Sequence, residues 1–218
     1  MGQVLHGALH YLDFRMVKLK QSCSICPRIN ENFKVLRQKF KEHHNKPVYG
    51  VGSIKSNLCI VGLAPGLHGA NKTGIPFTDD FSGLILNKCL NISGFNKSSI
   101  NNYPYITNTV KCFPPNNKPS LIEINNCSVY LQSEFNDLSQ LKLIIALGKV
   151  AHNSVIKFFD KKNLKYPFIH GAFHIMSNKI TLLDSYHCSK ININNKRLTE
   201  TMLINILKSA KSYIEINE

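Results

Sequence analysis

One irregular stretch in a chain otherwise built of alternating apolar runs and amphipathic segments constrains the fold most. From Val61 to Gly83 the sequence reads VGLAPGLHGANKTGIPFTDDFSG, with five glycines and two prolines, too many for the interior of a helix or a strand. An apolar run, Leu58-Cys59-Ile60-Val61, precedes it as a buried strand, and a helical pattern from Leu84 to Leu90 follows. A glycine-rich loop between a parallel strand and a helix lies at the carboxyl edge of an open sheet, where such sheets bind ligands. Loops this long without secondary structure of their own are uncommon unless functional. This one carries His68, Asn71, Phe77, Asp79 and Asp80, a flat aromatic among imidazole, amide and carboxylate groups.

The same alternation recurs along the chain. Asn32 caps an expected helix through about His44, which Lys46-Pro47 ends, since the residue before proline leaves the helical region. The first strand spans Asn57–Leu63, and Tyr105–Val110 reads as a second, rich in β-branched residues. An irregular loop, Lys111–Pro119, leads to Ser120 and Glu123, a capping box for a helix over Leu121–Leu138. Leu141–Leu147 is apolar enough to be covered on both faces, and a helix from Lys149 to Phe159 follows. Lys161–Lys165 reads as a solvated basic loop, and Phe168–His174 and Ile180–Asp184 supply the last strands. A third polar loop, Ser185–Asn192, precedes a final helix from near Thr199. Strands at roughly forty-residue intervals separated by helices imply an α/β fold with a parallel sheet and right-handed crossovers. The polar loops after the strands then converge on one edge.

Lysine and arginine outnumber aspartate and glutamate by 27 to 13, a net charge of +14. Such a balance points to a polyanionic partner, although the abundance of Asn and Ile is also what an A/T-biased genome produces. No apolar run reaches membrane-spanning length. Val4–Leu12, broken by His6, Gly7 and His10, is no signal-peptide core, so a cytoplasmic protein of one domain is expected. Residues 1–22 are weakly patterned and basic. Seven cysteines in a cytosolic chain do not suggest disulfides. Cys59 and Cys89 fall in core positions, where cysteine serves as a small apolar filler. Cys23-x-x-Cys26 with Cys112 and Cys127 could hold tetrahedral zinc or an iron–sulfur cluster, and spacing alone does not choose. The plainer alternative is a chance pair plus two buried thiols.

Taken together, Gly62-Leu-Ala64-Pro65-Gly66, His68-Gly-Ala-Asn-Lys-Thr-Gly74, Phe77-Thr-Asp-Asp80, Thr107-Asn108-Thr-Val-Lys-Cys112, Ala146-Leu-Gly-Lys149, His170-Gly171 and His187-Cys-Ser-Lys-Ile-Asn192 resemble the uracil-DNA glycosylase superfamily. The likeness is greatest to its type 5 branch, with the iron–sulfur type 4 branch next. It implies a three-layer αβα sandwich around a mostly parallel four-stranded sheet, as a single domain over 1–218 whose first thirty or so residues a metal cluster ties in. By resemblance, Cys23, Cys26, Cys112 and Cys127 match the ligands of a 4Fe-4S cluster, with zinc the lesser alternative. Phe77 matches the aromatic that stacks on the flipped base, and Asn108 the amide that reads its polar edge. Asp80 matches the acid associated with the attacking water, and His187 and Asn192 the second catalytic motif. Gly62, Ala64, Pro65 and Gly66 frame the base site; Gly66 stands where some branches keep a polar catalytic residue. Three residues depart from the pattern: Asp79 replaces a small residue, Cys188 a proline and Ile75 a frequent basic residue.

The implied activity is monofunctional hydrolysis of the N-glycosidic bond of uracil in DNA, with hypoxanthine and xanthine as further substrates. The implied partner is DNA carrying a damaged base, single- or double-stranded, acted on by a monomer with no membrane association. The residues suit that chemistry. A base must leave the helix before its bond can be cut, and a basic surface with an aromatic platform meets that need. A carboxylate at Asp80 suits the cationic sugar and its water, and His187 with the backbone of Gly62–Gly66 suits the departing base. Read without the family, Asp80 is equally a helix cap and His187 a core histidine. Three other readings remain: a non-catalytic metal protein that binds nucleic acid, a type 4-like enzyme narrow for uracil, and a hydrolase of free nucleosides.

Overall fold

The computed structural model describes residues 23–96, 103–162 and 164–217. The basic segment 1–22, and with it most of the expected N-terminal tie, falls outside the described residues. Among these residues five strands form one sheet: β1 (Leu58–Gly62), β2 (Tyr105–Asn108), β3 (Leu143–Leu147), β4 (Phe173–Ile175) and β5 (Thr181–Ser185). The order is β2-β1-β3-β5-β4. The first four in that order run parallel, and every one of their residues is buried, as continuous apolar runs covered on both faces should be.

The sheet thus has one strand more than the four expected. β4 pairs antiparallel with β5 at the edge and alternates exposed and half-buried residues. It is also shorter than the Phe168–His174 strand the sequence suggested: Gly171 at φ +83° turns the chain before it, a conformation glycine adopts without strain.

Among the described residues seven α-helices flank the sheet: α1 (Pro27–Lys39), α2 (Ala70–Thr73), α3 (Phe81–Ile92), α4 (Leu121–Asp137), α5 (Lys149–Phe158), α6 (Lys190–Asn194) and α7 (Glu200–Ile216). Leu86 and Leu90 of α3 and Leu203, Leu207 and Ala210 of α7 pack with Ile60, Ile145 and Leu183 on one face of the sheet. Leu131 and Phe135 of α4 and Val155 and Ile156 of α5 pack with Val61, Ile144 and Leu182 on the other. The result is the expected αβα sandwich. Outside it, Ile29, Phe33 and Leu36 of α1 cluster with Val110, Phe113 and Cys127.

The anticipated capping box at α4 is present: Ser120 Oγ accepts from Glu123 N–H at 3.2 Å, and Glu123 Oε2 accepts from Ser120 N–H at 2.7 Å. The start of α1 corrects the sequence reading. The helix begins at Pro27, with Cys26 as a cap that makes no side-chain bond, because proline's fixed φ suits the first helical position. Asn32 lies inside it. The ends of β1, β2, β3 and β5 all point to one edge, where the polar loops meet.

Candidate active site at the sheet edge

A cleft of about 710 Å³ opens at that edge, and Pro65, Gly66, Phe77, Asp80, Asn108 and His187 all line it. Its innermost corner is shaped by the absence of a side chain. Gly62 pairs with Asn108 across β1 and β2. A Cβ at Gly62 would come within 2.7 Å of the Phe77 ring and would also collide with Asn108 Oδ1. The aromatic and the amide therefore converge on one backbone atom. Asn108 is 2% exposed, so its amide is set against the cleft wall, not free in solvent. Phe77 holds φ +53°, a left-handed conformation that a bulky residue rarely adopts and that clusters at functional sites.

Asp80 is the N-cap of α3: its Oδ1 accepts from Gly83 N–H at 2.8 Å. Its Oδ2 lies against Gly66 and Gly69, where a Cβ on Gly66 would stand 3.0 Å away and one on Gly69 would collide. Both readings of Asp80 therefore hold: it caps a helix and faces the cleft. Burial raises its carboxyl pKa, the N–H groups of Gly83 and Ser82 oppose that rise, and Asp79 contributes least. Asp79 instead pairs with Lys72 Nζ at 2.8 Å on the surface.

His187 stands across the cleft, its ring centroid 6.1 Å from that of Phe77 and tilted by 30°. Burial pushes its pKa down to about 4, so the imidazole is neutral at neutral pH and can donate one ring N–H. Asn192 is placed differently from the other expected site residues. Its Nδ2 donates to the His187 carbonyl at 2.7 Å, so it fixes the His187 loop from behind. Cys188 is fully buried and its thiol donates to Ser82 O at 3.5 Å, tying that loop to the start of α3. His170 stacks on Tyr186 at 4.8 Å and accepts its N–H at 3.1 Å, a structural role. Asn71 shapes the glycine loop by donating to Asn45 Oδ1 at 2.9 Å.

A sequence profile described as the uracil DNA glycosylase superfamily matches residues 49–211. The chain belongs to the uracil DNA glycosylase superfamily. Among its relatives, a type-5 uracil-DNA glycosylase of Thermus thermophilus is 33% identical over 209 residues, 89% of this chain and 95% of that protein. One of Mycobacterium leprae is 36% identical over 206 residues, covering 87% and 90%. A type-4 uracil-DNA glycosylase of Pyrobaculum aerophilum is 27% identical over 177 residues, 79% of this chain and 81% of that protein.

In this superfamily member the four expected cysteines also come together. Cys23, Cys26, Cys112 and Cys127 line one cavity between α1 and α4. Two of the sulfurs have hydrogen-bond donors of the kind that tune metal-bound thiolates. Lys111 N–H lies 3.2 Å from Cys127 Sγ, and Asn126 Nδ2 lies 3.6 Å from Cys26 Sγ. Burial raises the thiol pKa values of Cys112 and Cys127, the latter to about 11; free thiolates are therefore disfavoured here unless a cation compensates them.

Three groups escaped the sequence reading. Ile191, 72% exposed, lines the cleft from α6; a single isoleucine in a polar loop gives no signal of its own. His152 Nδ1 and His174 Nε2 hold the two oxygens of Asp184 at 2.7 and 3.0 Å. This set is centred on Asp184 of β5, the strand that leads to His187, and draws on α5 and β4 as well, so no spacing reveals it. The third is Lys111, 1% exposed and paired with Glu134 at 2.6 Å. No helix among the described residues is long and apolar enough to cross a membrane.

Proposed function

We propose that this chain is a type 5, monofunctional uracil-DNA glycosylase that extrudes a deaminated base into the sheet-edge cleft and hydrolyses its N-glycosidic bond. The observation that carries the reading is the meeting of Phe77, Asn108, Asp80 and His187 around one cleft. Phe77 supplies a stacking surface, worth about 1–3 kcal/mol per base, and the Asn108 amide reads the polar edge of the base. As the bond stretches, positive charge grows on the sugar and negative charge on the base. The Asp80 carboxylate stabilises the first and orients a water. The water oxygen bonds to the anomeric carbon while the bond to the base nitrogen breaks and its electron pair leaves with the base. The water's proton passes to Asp80. The neutral His187 donates its N–H to the base oxygen that gains charge.

Ile191 suits the role of a wedge that fills the gap left in the stack, as exposed apolar side chains do in proteins that kink DNA. Lys118, Lys149 and Lys190 at the cleft rim suit flanking phosphates. A cleft of about 710 Å³ also admits a purine, so hypoxanthine and xanthine belong in the substrate panel. Release of free base from duplexes carrying each lesion tests the proposal; Asp80→Ala is expected to lower the rate by about 10²–10⁴-fold. Undiminished release by that variant removes Asp80 from its role.

The four cysteines fit an iron–sulfur cluster better than one zinc ion. Among the described residues, the ligand atoms found within 4.8 Å of one another are those of His152, His174 and Asp184, not the thiols. A tetrahedron of sulfurs around zinc has edges of only about 3.8 Å, given Zn–S bonds near 2.3 Å. Cys23, Cys26, Cys112 and Cys127 would hold the cluster, which would join α1 to α4 and supply rigidity, since hydrolysis moves no electrons. Iron and sulfide content and visible absorption of the purified protein check this. Cys112→Ala is expected to lose both and to fold in lower yield.

A further inference from the structure

Lys111 and Glu134 form an ion pair in which each side chain is 1% exposed. As a stabilising device such a pair is poor, because desolvating two charges offsets most of their attraction, and apolar replacements are often as stable. Its contacts indicate another use. All three ammonium protons are engaged: with Glu134 Oε2 at 2.6 Å, Thr107 Oγ1 at 2.6 Å and the Asn108 carbonyl at 2.7 Å. Both oxygens of Glu134 are engaged in turn, Oε2 accepting from Thr107 Oγ1–H at 2.7 Å and Oε1 from Gly50 N–H at 2.9 Å. The main chain of Lys111 is clamped as well. Its N–H points to Cys127 Sγ at 3.2 Å, and its carbonyl accepts from Val48 N–H at 2.6 Å.

We propose that the buried Lys111–Glu134 pair positions Asn108, holding the peptide that carries the base-reading amide at one orientation against Gly62 and Phe77. The inference rests on the reading of Asn108 given above. Asn108 is the last residue of β2; the peptide that follows it is tied to β1 through its N–H, from Thr109 to the Gly62 carbonyl at 2.9 Å, and to Lys111 through its carbonyl. The carbonyl there is buried and accepts from Lys111 Nζ. An ammonium can hold that carbonyl, the preceding hydroxyl and a carboxylate together, because it offers three donors on one atom. Neither Lys111 nor Glu134 lines the cleft, so the pair acts through Asn108 and not on the substrate.

The test is the double variant Lys111→Met with Glu134→Leu, which removes both charges at near-constant volume. Three quantities are measured: single-turnover release of uracil from a duplex, inhibition by free uracil, and affinity for an undamaged duplex. The expected result is a folded protein with unchanged affinity for undamaged DNA. Its release rate should fall about 10²-fold, the scale of a misplaced catalytic contact, with a comparable weakening of uracil inhibition. A folded double variant with wild-type rate and inhibition overturns the proposal. Asn108→Ala separates the two levels of inference. If that variant reads uracil normally, the role of Asn108 itself is wrong; if it is impaired while the double variant is not, only the positioning role is wrong. Adding Asn108→Ala to the double variant should cost little more, since one contact is not lost twice. Should the double variant fail to fold, Thr107→Val decides in its place: it keeps the ion pair, removes one hydroxyl from the chain of bonds, and must weaken uracil inhibition for the proposal to stand.

Discussion

At the scale of single residues, burial moves the two titrating groups across the cleft in opposite directions. Burial raises Asp80 above its ordinary value of 3.8 and lowers His187 to about 4. Activity that requires ionised Asp80 and neutral His187 is lost as pH falls through the raised Asp80 pKa and has no corresponding alkaline limb from His187. A pH profile of single-turnover uracil release checks this. The same shift has a stability consequence. A carboxyl that binds its proton more tightly folded than unfolded costs stability once pH rises above its unfolded value. Asp80→Asn, which keeps an N-cap of equal quality, is therefore expected to raise Tm at neutral pH while abolishing excision, and the Tm gap should close below about pH 4. Asp79 is separable from its neighbour. It holds φ +58° and pairs with Lys72 on the surface, where an ion pair is worth about 0–1 kcal/mol. Asp79→Gly is expected to leave both the excision rate and the pH profile unchanged, with stability within about 1 kcal/mol of wild type by chemical denaturation. Phe77, Asn108, Asp80 and His187, which the family resemblance assigned to one site, all line the cleft. Asn192, assigned to the same site by the resemblance, instead turns its side chain back to the His187 carbonyl; a loop's internal hydrogen bonds leave no periodic trace.

Among the elements, the ones that sequence reading located well are those with a local physical cause. β1 and β3 are uninterrupted apolar runs, and α4 carries a reciprocal cap at Ser120 and Glu123. The elements it misjudged depend on contacts distant in the chain. β4 exists as the antiparallel neighbour of β5, and the first turn of α1 is held by Arg28, which bonds Glu123 through two nitrogens at 2.8 and 2.5 Å. Glu123 therefore caps α4 and joins it to α1, the two elements that flank the cysteines. Burial alone would raise the Glu123 pKa, but the Arg28 bond and the Ser120 N–H outweigh it and hold the carboxyl below its ordinary value of 4.5. The stability this contributes is present above that value and lost as pH falls through the lowered one. Glu123→Gln is expected to destabilise the fold by roughly 1–3 kcal/mol at neutral pH, the cost of weakening a charge-assisted bond beside a cap. The difference from wild type, read as Tm against pH, should vanish in acid.

For the whole molecule, the charge of +14 becomes a statement about affinity for DNA and its dependence on salt. Three lysines, Lys118, Lys149 and Lys190, stand at the cleft rim, and each phosphate they neutralise steepens the salt dependence by about 0.9 in the logarithmic slope. Replacing all three with methionine is expected to flatten the plot of log affinity against log salt by about 2.7, with base discrimination unchanged; fluorescence anisotropy on an undamaged duplex measures it. Composition alone predicted a polyanionic partner but gave no position for the charge, since lysines spread over the chain carry no pattern until the sheet brings three of them to one rim.

The short run from Asn108 to Cys112 belongs to two structures at once. Its first residue faces the cleft, its fourth is gripped from within by Glu134, and its last stands in the thiol cage. A minimised catalyst made by deleting α1 and its cysteines would lose the anchor of that run and so its recognition of the base. Such a truncation would report a dead enzyme even though every reacting group had been retained.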